Sequence, residues 1–83
     1  MFLFKVQHTF AITGRGLILT SDVILGTIRV RIGDKIKIVT PDNKVIEPTV
    51  KGIAFANPID ILVDQNVAKD DVPIGSEVWL NKE

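Results

Sequence analysis

Between Phe2 and Thr13 the chain alternates. Even positions carry Phe2, Phe4, Val6, His8, Phe10 and Ile12, while odd positions from Lys5 onward carry Lys5, Gln7, Thr9, Ala11 and Thr13. A helix would repeat its apolar residues every three or four positions. A period of two belongs to a strand with one face on a core and the other in water. The same signal returns downstream. Ile36 and Ile38 alternate with Lys35 and Lys37, residues 45–55 are β-rich but broken by Pro48 and Gly52, and residues 59–63 and 78–80 are short apolar runs.

Turn residues separate these runs. Gly14 and Gly16 flank Arg15, Gly33 precedes Asp34, Pro41-Asp42-Asn43 suits a hairpin loop, Asn57-Pro58 breaks the chain, and Pro73-Ile74-Gly75 leads into the last run. Residues 66–72 have room for a single helical turn at most. Many short strands with regular turns predict an all-β domain, a barrel or a sandwich. Closure removes the exposed strand edges that a chain this apolar would otherwise offer to its neighbours. The expectation from these patterns is one all-β domain over residues 1–83, a small barrel or sandwich. Phe2, Phe4, Phe10, Phe55 and Trp79 are expected in its core. Glycines at Gly14, Gly16, Gly26, Gly33 and Gly75 are expected to serve turns, bulges or close backbone approaches.

Composition narrows the chemistry. The 83 residues are 46% apolar, enough for a modest core. There is no cysteine, which removes disulfides, zinc–thiolate sites and a cysteine nucleophile, and favours a reducing cytoplasm. The apolar opening at Met1 to Phe4 meets Lys5 at once, shorter than a signal peptide, and no apolar run has the length of a membrane span. Ten basic residues balance ten acidic ones. Through Lys44 there are seven basic residues against three acidic, a net of +4; from Val45 onward there are three against seven, a net of −4. Such a split makes a two-faced surface only if the fold keeps the halves apart.

The segment Phe10-Ala11-Ile12-Thr13-Gly14-Arg15-Gly16-Leu17-Ile18-Leu19-Thr20 resembles the F-x-I-x-G-R-G-x-x-x-T opening of domain 2 in elongation factor Tu and related translational GTPases. Val23, Gly26, Ile28 and then Gly33-Asp34-Lys35-Ile36-Lys37-Ile38-Val39 resemble that family's V-x-x-G-x-I-x-V-G-D-x-V-x-I-V. Thr49-Val50-Lys51-Gly52-Ile53 is similar to its T-V-T-G-V strand, and Lys69-Asp70-Asp71-Val72-Pro73-Ile74-Gly75 to its K-x-x-D-V-x-x-G. The pieces run in order over almost the whole chain. The resemblance implies a small closed six-stranded Greek-key β-barrel and a non-catalytic binding module of the translation machinery that touches protein or ribosomal RNA. It also sets limits. No G-x-x-x-x-G-K-[ST] occurs, so GTP should be neither bound nor hydrolysed. Ala54 stands where the family has glutamate, Phe55-Ala56-Asn57-Pro58 replaces the loop with the family's G-D-N, and an extra pair of residues lies around Arg29-Val30-Arg31. Aminoacyl-tRNA binding is therefore not expected.

Among candidate site residues, Arg15, Arg29, Arg31, Lys35 and Lys37 form the best set for contacting RNA phosphates or an acidic partner, the last four sharing parity along the chain. His8 is the lone histidine and has no second histidine to make a metal site, so it is expected buried or at the barrel mouth. Asp60 with Asp64, or Asp70 with Asp71, are the only pairings that suggest acid–base work, and solvated or turn-forming carboxylates explain them as well. No catalytic group, metal or cofactor is expected. The partner is expected to be a protein or a second copy of the chain, with ribosomal RNA as a further candidate. The alternative to an adaptor is a structural subunit of a homo-oligomer or complex.

Overall fold

The computed structural model describes residues 2–22, 30–54 and 58–81. The chain is all-β. Its strands are β1 (Phe2–Lys5), β2 (His8–Ile12), β3 (Gly16–Thr20), β4 (Ile36–Val39), β5 (Val45–Ile46), β6 (Val50–Ala54), β7 (Asp60–Val63) and β8 (Glu77–Leu80), with a single 3-10 turn at Lys69–Asp71 before β8. They form two antiparallel four-stranded sheets, ordered β1-β8-β4-β5 and β2-β3-β7-β6.

The core lies between the sheets. The first sheet contributes Phe4, Ile36, Ile38, Val78 and Leu80; the second contributes Leu17, Leu19, Val50, Ile61 and Val63. In each strand these alternate with residues that face water, as in Ile36-Lys37-Ile38, so the period of two sorts apolar from charged side chains there. Each sheet draws two strands from the basic half of the chain and two from the acidic half. The +4/−4 split is thus interleaved within both sheets.

The long opening run behaves differently from the expected single strand. It bends at Val6–Gln7 and changes sheet. The Val6 N–H donates to the Ser76 carbonyl at 2.8 Å in the first sheet, and the Gln7 N–H donates to the Thr20 carbonyl at 2.8 Å in the second. Phe4 and Val6 are fully buried, but beyond the bend Thr9 and Ala11 sit opposite Leu19 and Leu17, the inward residues of β3. His8 and Phe10 therefore face solvent. A strand that turns a corner between sheets does not carry its inward parity through the turn. This corrects the expected core position of Phe10; His8, expected buried or at the barrel mouth, is exposed.

A second corner follows β5. The Ile36 N–H donates to the Pro48 carbonyl at 3.0 Å, and the Val50 N–H to the Asp34 carbonyl at 2.8 Å, so the segment joining β5 to β6 stays bonded to the entry of β4. Trp79 is a further correction, since it was expected in the core. Val78 and Leu80 are buried, which turns Trp79 outward and leaves it half-buried. Its ring meets Phe2 edge-on at 5.2 Å and 72°, and its Nε1–H donates to Glu77 Oε1 at 3.3 Å. Phe2 itself is 43% exposed.

The hairpin predicted at Pro41-Asp42-Asn43 joins β4 to β5. Thr40 organises it: its N–H donates to the Lys44 carbonyl at 2.9 Å, its hydroxyl oxygen accepts the Lys44 N–H at 3.0 Å, and the hydroxyl donates to the Asp42 carboxylate. That last bond holds the Asp42 carboxyl below the usual carboxylate range, with the Lys44 ammonium at 3.8 Å adding to it. A depressed folded-state pKa stabilises the fold above the ordinary carboxylate range, and the contribution is lost as pH falls through the Asp42 value. Solvent keeps this contribution small. An NMR titration should therefore place the Asp42 midpoint below that of an ordinary aspartate. In Thr40→Val it should rise toward the ordinary value, with Lys44 still holding it somewhat below; no change in that variant would show that the hydroxyl is not the cause.

Candidate interaction surface

Cross-strand register builds the most distinctive surface of the molecule. Phe10 pairs with Ile18, Ile18 with Leu62, and Leu62 with Gly52, in one row across β2, β3, β7 and β6. The inward rows of the same strands run through Leu19–Ile61 and Leu17–Val63, so the Phe10 row lies on the opposite, solvent-facing side. Phe10 is 66% exposed, and Ile18 and Leu62 are half-buried. A parallel row two residues along the strands runs His8, Thr20, Asp60, Ala54. An antiparallel sheet with one face in water normally alternates apolar-in and polar-out. Here the outward row is apolar from β2 to β7, as at a contact surface.

Gly52 ends that row without a side chain. Its backbone does not require glycine: a Cβ built there would meet Leu62 Cβ at 3.5 Å and Cδ2 at 3.6 Å, an ordinary contact. The row therefore ends on β6 at a position that projects no side chain, next to the Leu62 side chain.

The basic residues predicted as a set are divided by the fold. Arg15 is exposed at the tip of the β2–β3 hairpin in the second sheet, where its N–H donates to the Ile12 carbonyl at 3.0 Å. Arg31 and Lys35 are exposed in the segment leading into β4, and Lys37 is exposed on β4 itself in the first sheet. The Arg31 N–H donates to Asp34 Oδ2 at 2.9 Å, and Lys37 lies opposite Trp79. Among the described residues the only ion pair is Lys44–Asp42, so these three cations have no carboxylate partner there. Glu77 lies on the same outward side, and so does Glu47, whose Oε2 accepts the Asn81 Nδ2–H at 2.6 Å. The patch is mixed in sign. Arg29 and Gly26 lie outside the described residues, as does Phe55.

Gly14, Gly33 and Gly75 occupy exposed turns with positive φ. Gly16 is a different case: its position at the start of β3 brings its backbone against β7, and a Cβ there would lie 1.9 Å from the Val63 carbonyl oxygen.

The acidic candidates do not converge. Asp60 is half-buried on β7 beside Thr20, Asp64 accepts the Thr49 N–H at 3.4 Å, and Asp70 and Asp71 are exposed in the 3-10 turn. Among the described residues no group of three or more metal-ligating side chains gathers, and no helix is long and apolar enough to cross a membrane. The outward-facing row was missed in the sequence because its apolar alternation was assigned to the core; periodicity alone does not say which side is wet. No protein-family model matches the chain.

Proposed function

We propose that the chain is a non-catalytic binding module, a closed six-stranded Greek-key barrel of the kind found as domain 2 of elongation factor Tu, acting in the cytoplasm beside the translation machinery. Support for closure comes from the two corners. If β1 with β2, and β5 with β6, are each counted as one bent strand, the pairings form a ring of six. Support for the setting comes from the ordered motif resemblance, from Phe10 to Gly75. The observation that carries the binding role is the apolar row of Phe10, Ile18 and Leu62 on the wet side of the second sheet. A protein surface is the partner this chemistry fits, since the row offers no charge to a phosphate. Co-purification from the native cell, with protein and RNA both identified, tests it. Phe10→Asp should lose the partner that the wild type retains; the same partners on both would overturn the reading.

A second reading, contact with ribosomal RNA, has its own observation in the exposed Arg31, Lys35 and Lys37 without ion pairs among the described residues. Each phosphate contact contributes about −0.7 to −0.9 to the slope of log K against log salt. Replacing Arg31 and Lys37 together by alanine should reduce the magnitude of that slope by about 1.5 on structured ribosomal RNA fragments. No binding at low salt, or an unchanged slope, would leave protein contact alone. Glu47 and Glu77 on the same side weaken the pull on phosphate, which ranks RNA second.

A further inference from the structure

The outward face of the first sheet gathers side chains that lie far apart in the sequence. Phe2 on β1 pairs with Trp79 on β8, and Trp79 pairs with Lys37 on β4, in one cross-strand row. The two rings meet edge-on with their planes 72° apart, so they form a corner rather than a closed stack. Phe2 is 43% exposed and Trp79 is half-buried. Strands about 4.8 Å apart put Lys37 one strand spacing from Trp79. Lys5 pairs with Glu77 in the next outward row, and Lys35 stands two residues before Lys37 on the same outward side of Ile36. Lys5, Lys35 and Lys37 are exposed, and none has a carboxylate partner among the described residues.

We propose that this face holds single-stranded RNA, with an unpaired base against the Phe2–Trp79 corner and the adjoining phosphates at Lys37 and Lys35. The inference rests on the ribosomal-RNA reading and names the part of an RNA that is recognised. Three observations favour this occupant. Aromatic rings beside cations are what the bases and the backbone of a single strand require, and the β1–β8 and β8–β4 pairings bring the two together. The carboxylates of the face are already engaged by neutral donors: Glu77 Oε1 accepts the Trp79 Nε1–H at 3.3 Å, and Glu47 Oε2 accepts the Asn81 Nδ2–H at 2.6 Å. Each keeps lone pairs for the amino group of a base. The face is also mixed in polarity. Such a mixture is costly to strip of water against protein, whereas nucleic-acid interfaces are polar and stay wet.

The balance of charge sets the strength. Lys5, Lys35 and Lys37 share the face with Glu47 and Glu77, which leaves a small positive excess. Stacking therefore carries the affinity, about 5- to 150-fold per base. Phosphate contact adds less, a slope of log K against log salt of about −0.7 to −1.4 for one or two phosphates. The complex is weak, with Kd of about 10 µM to 1 mM.

An unstructured RNA of about ten adenosines and cytidines, alone and in duplex with its complement, tests the proposal on the full chain. Trp79 is the only tryptophan and the chain has no tyrosine, so intrinsic fluorescence reads this face directly. The expected result is saturable quenching by the single strand, with the duplex at least about tenfold weaker because its bases are closed to the rings. Phe2→Ala should weaken the single strand about fivefold or more with an unchanged circular dichroism spectrum. Lys37→Ala should reduce the magnitude of the salt slope by about 0.7. Phe10→Asp, on the other sheet, should bind as the wild type does. No quenching by about 1 mM single strand at low salt would overturn the proposal. Equal affinity for the duplex, or indifference to Phe2→Ala, would overturn base stacking as well, while leaving phosphate contact to the salt-slope test on structured fragments.

Discussion

Gly16→Ala is expected to lose a large part or all of the stability of the fold. The φ of Gly16 is +142°, which L side chains rarely adopt, and the new methyl would sit 1.9 Å from the Val63 carbonyl oxygen and 3.1 Å from its carbon. Neither atom belongs to a flexible side chain that can move aside. Relieving the clash means pulling β3 away from β7 where Leu17 pairs with Val63, and both of those residues are fully buried. A domain of this size has roughly 4–12 kcal/mol of stability in total. A substitution that strains the backbone and opens the core pairing costs about 4 kcal/mol or more, which removes most or all of it. Gly14→Ala is the control, two residues away. Its φ is +78° and a Cβ meets nothing within 4 Å, so only the backbone preference is lost, about 1–2 kcal/mol. Urea unfolding of both variants checks the pair. Equal, small losses would mean that β3 and β7 do not approach as closely as described.

Phe4→Ala should cost about 3–5 kcal/mol, whereas Phe10→Ala should cost about 1 kcal/mol or less. Both phenylalanines lie on the same parity of one apolar alternation. Phe4 is fully buried, and its deletion leaves a cavity between the sheets; Phe10 is 66% exposed and its deletion leaves none. The comparison measures the corner at Val6–Gln7 directly, because an unbent strand would keep both rings in the core. Thermal or urea midpoints give the two values. If the costs were equal, β2 would face inward and the surface proposed for binding would not exist.

The two outward faces divide the functional possibilities. The second sheet offers an apolar row of Phe10, Ile18 and Leu62, suited to close packing against protein. The first offers the Phe2–Trp79 edge-on pair, Lys35 and Lys37, and two carboxylates already engaged with Trp79 and Asn81. Desolvating that mixture costs more than desolvating Ile18 and Leu62. The balance favours the second sheet as the contact surface.

By itself the sequence determined the class of structure. Alternation at 35–39, the apolar runs at 59–63 and 78–80, and the turns at Gly33-Asp34, Pro41-Asp42-Asn43 and Pro73-Ile74-Gly75 all correspond to strands and turns in the folded chain. Gly16 was also legible as a place where backbones approach, because a glycine inside a strand pattern has few other reasons to be there. Side-chain period, turn geometry and glycine freedom are local properties, and neighbouring residues encode them. The tertiary structure decided which side of each period is wet. The bend at Val6–Gln7 depends on bonds to Ser76 and Thr20, far along the chain, and it turns the continuing apolar alternation of Phe10 out into solvent. It also decided that Arg15 sits on the β2–β3 hairpin of the second sheet and Lys37 on β4 of the first, because shared parity in a sequence places residues on one face only while they remain in one strand. The row of Phe10, Ile18, Leu62 and Gly52 comes from three strand pairings between distant segments, and no local pattern contains it.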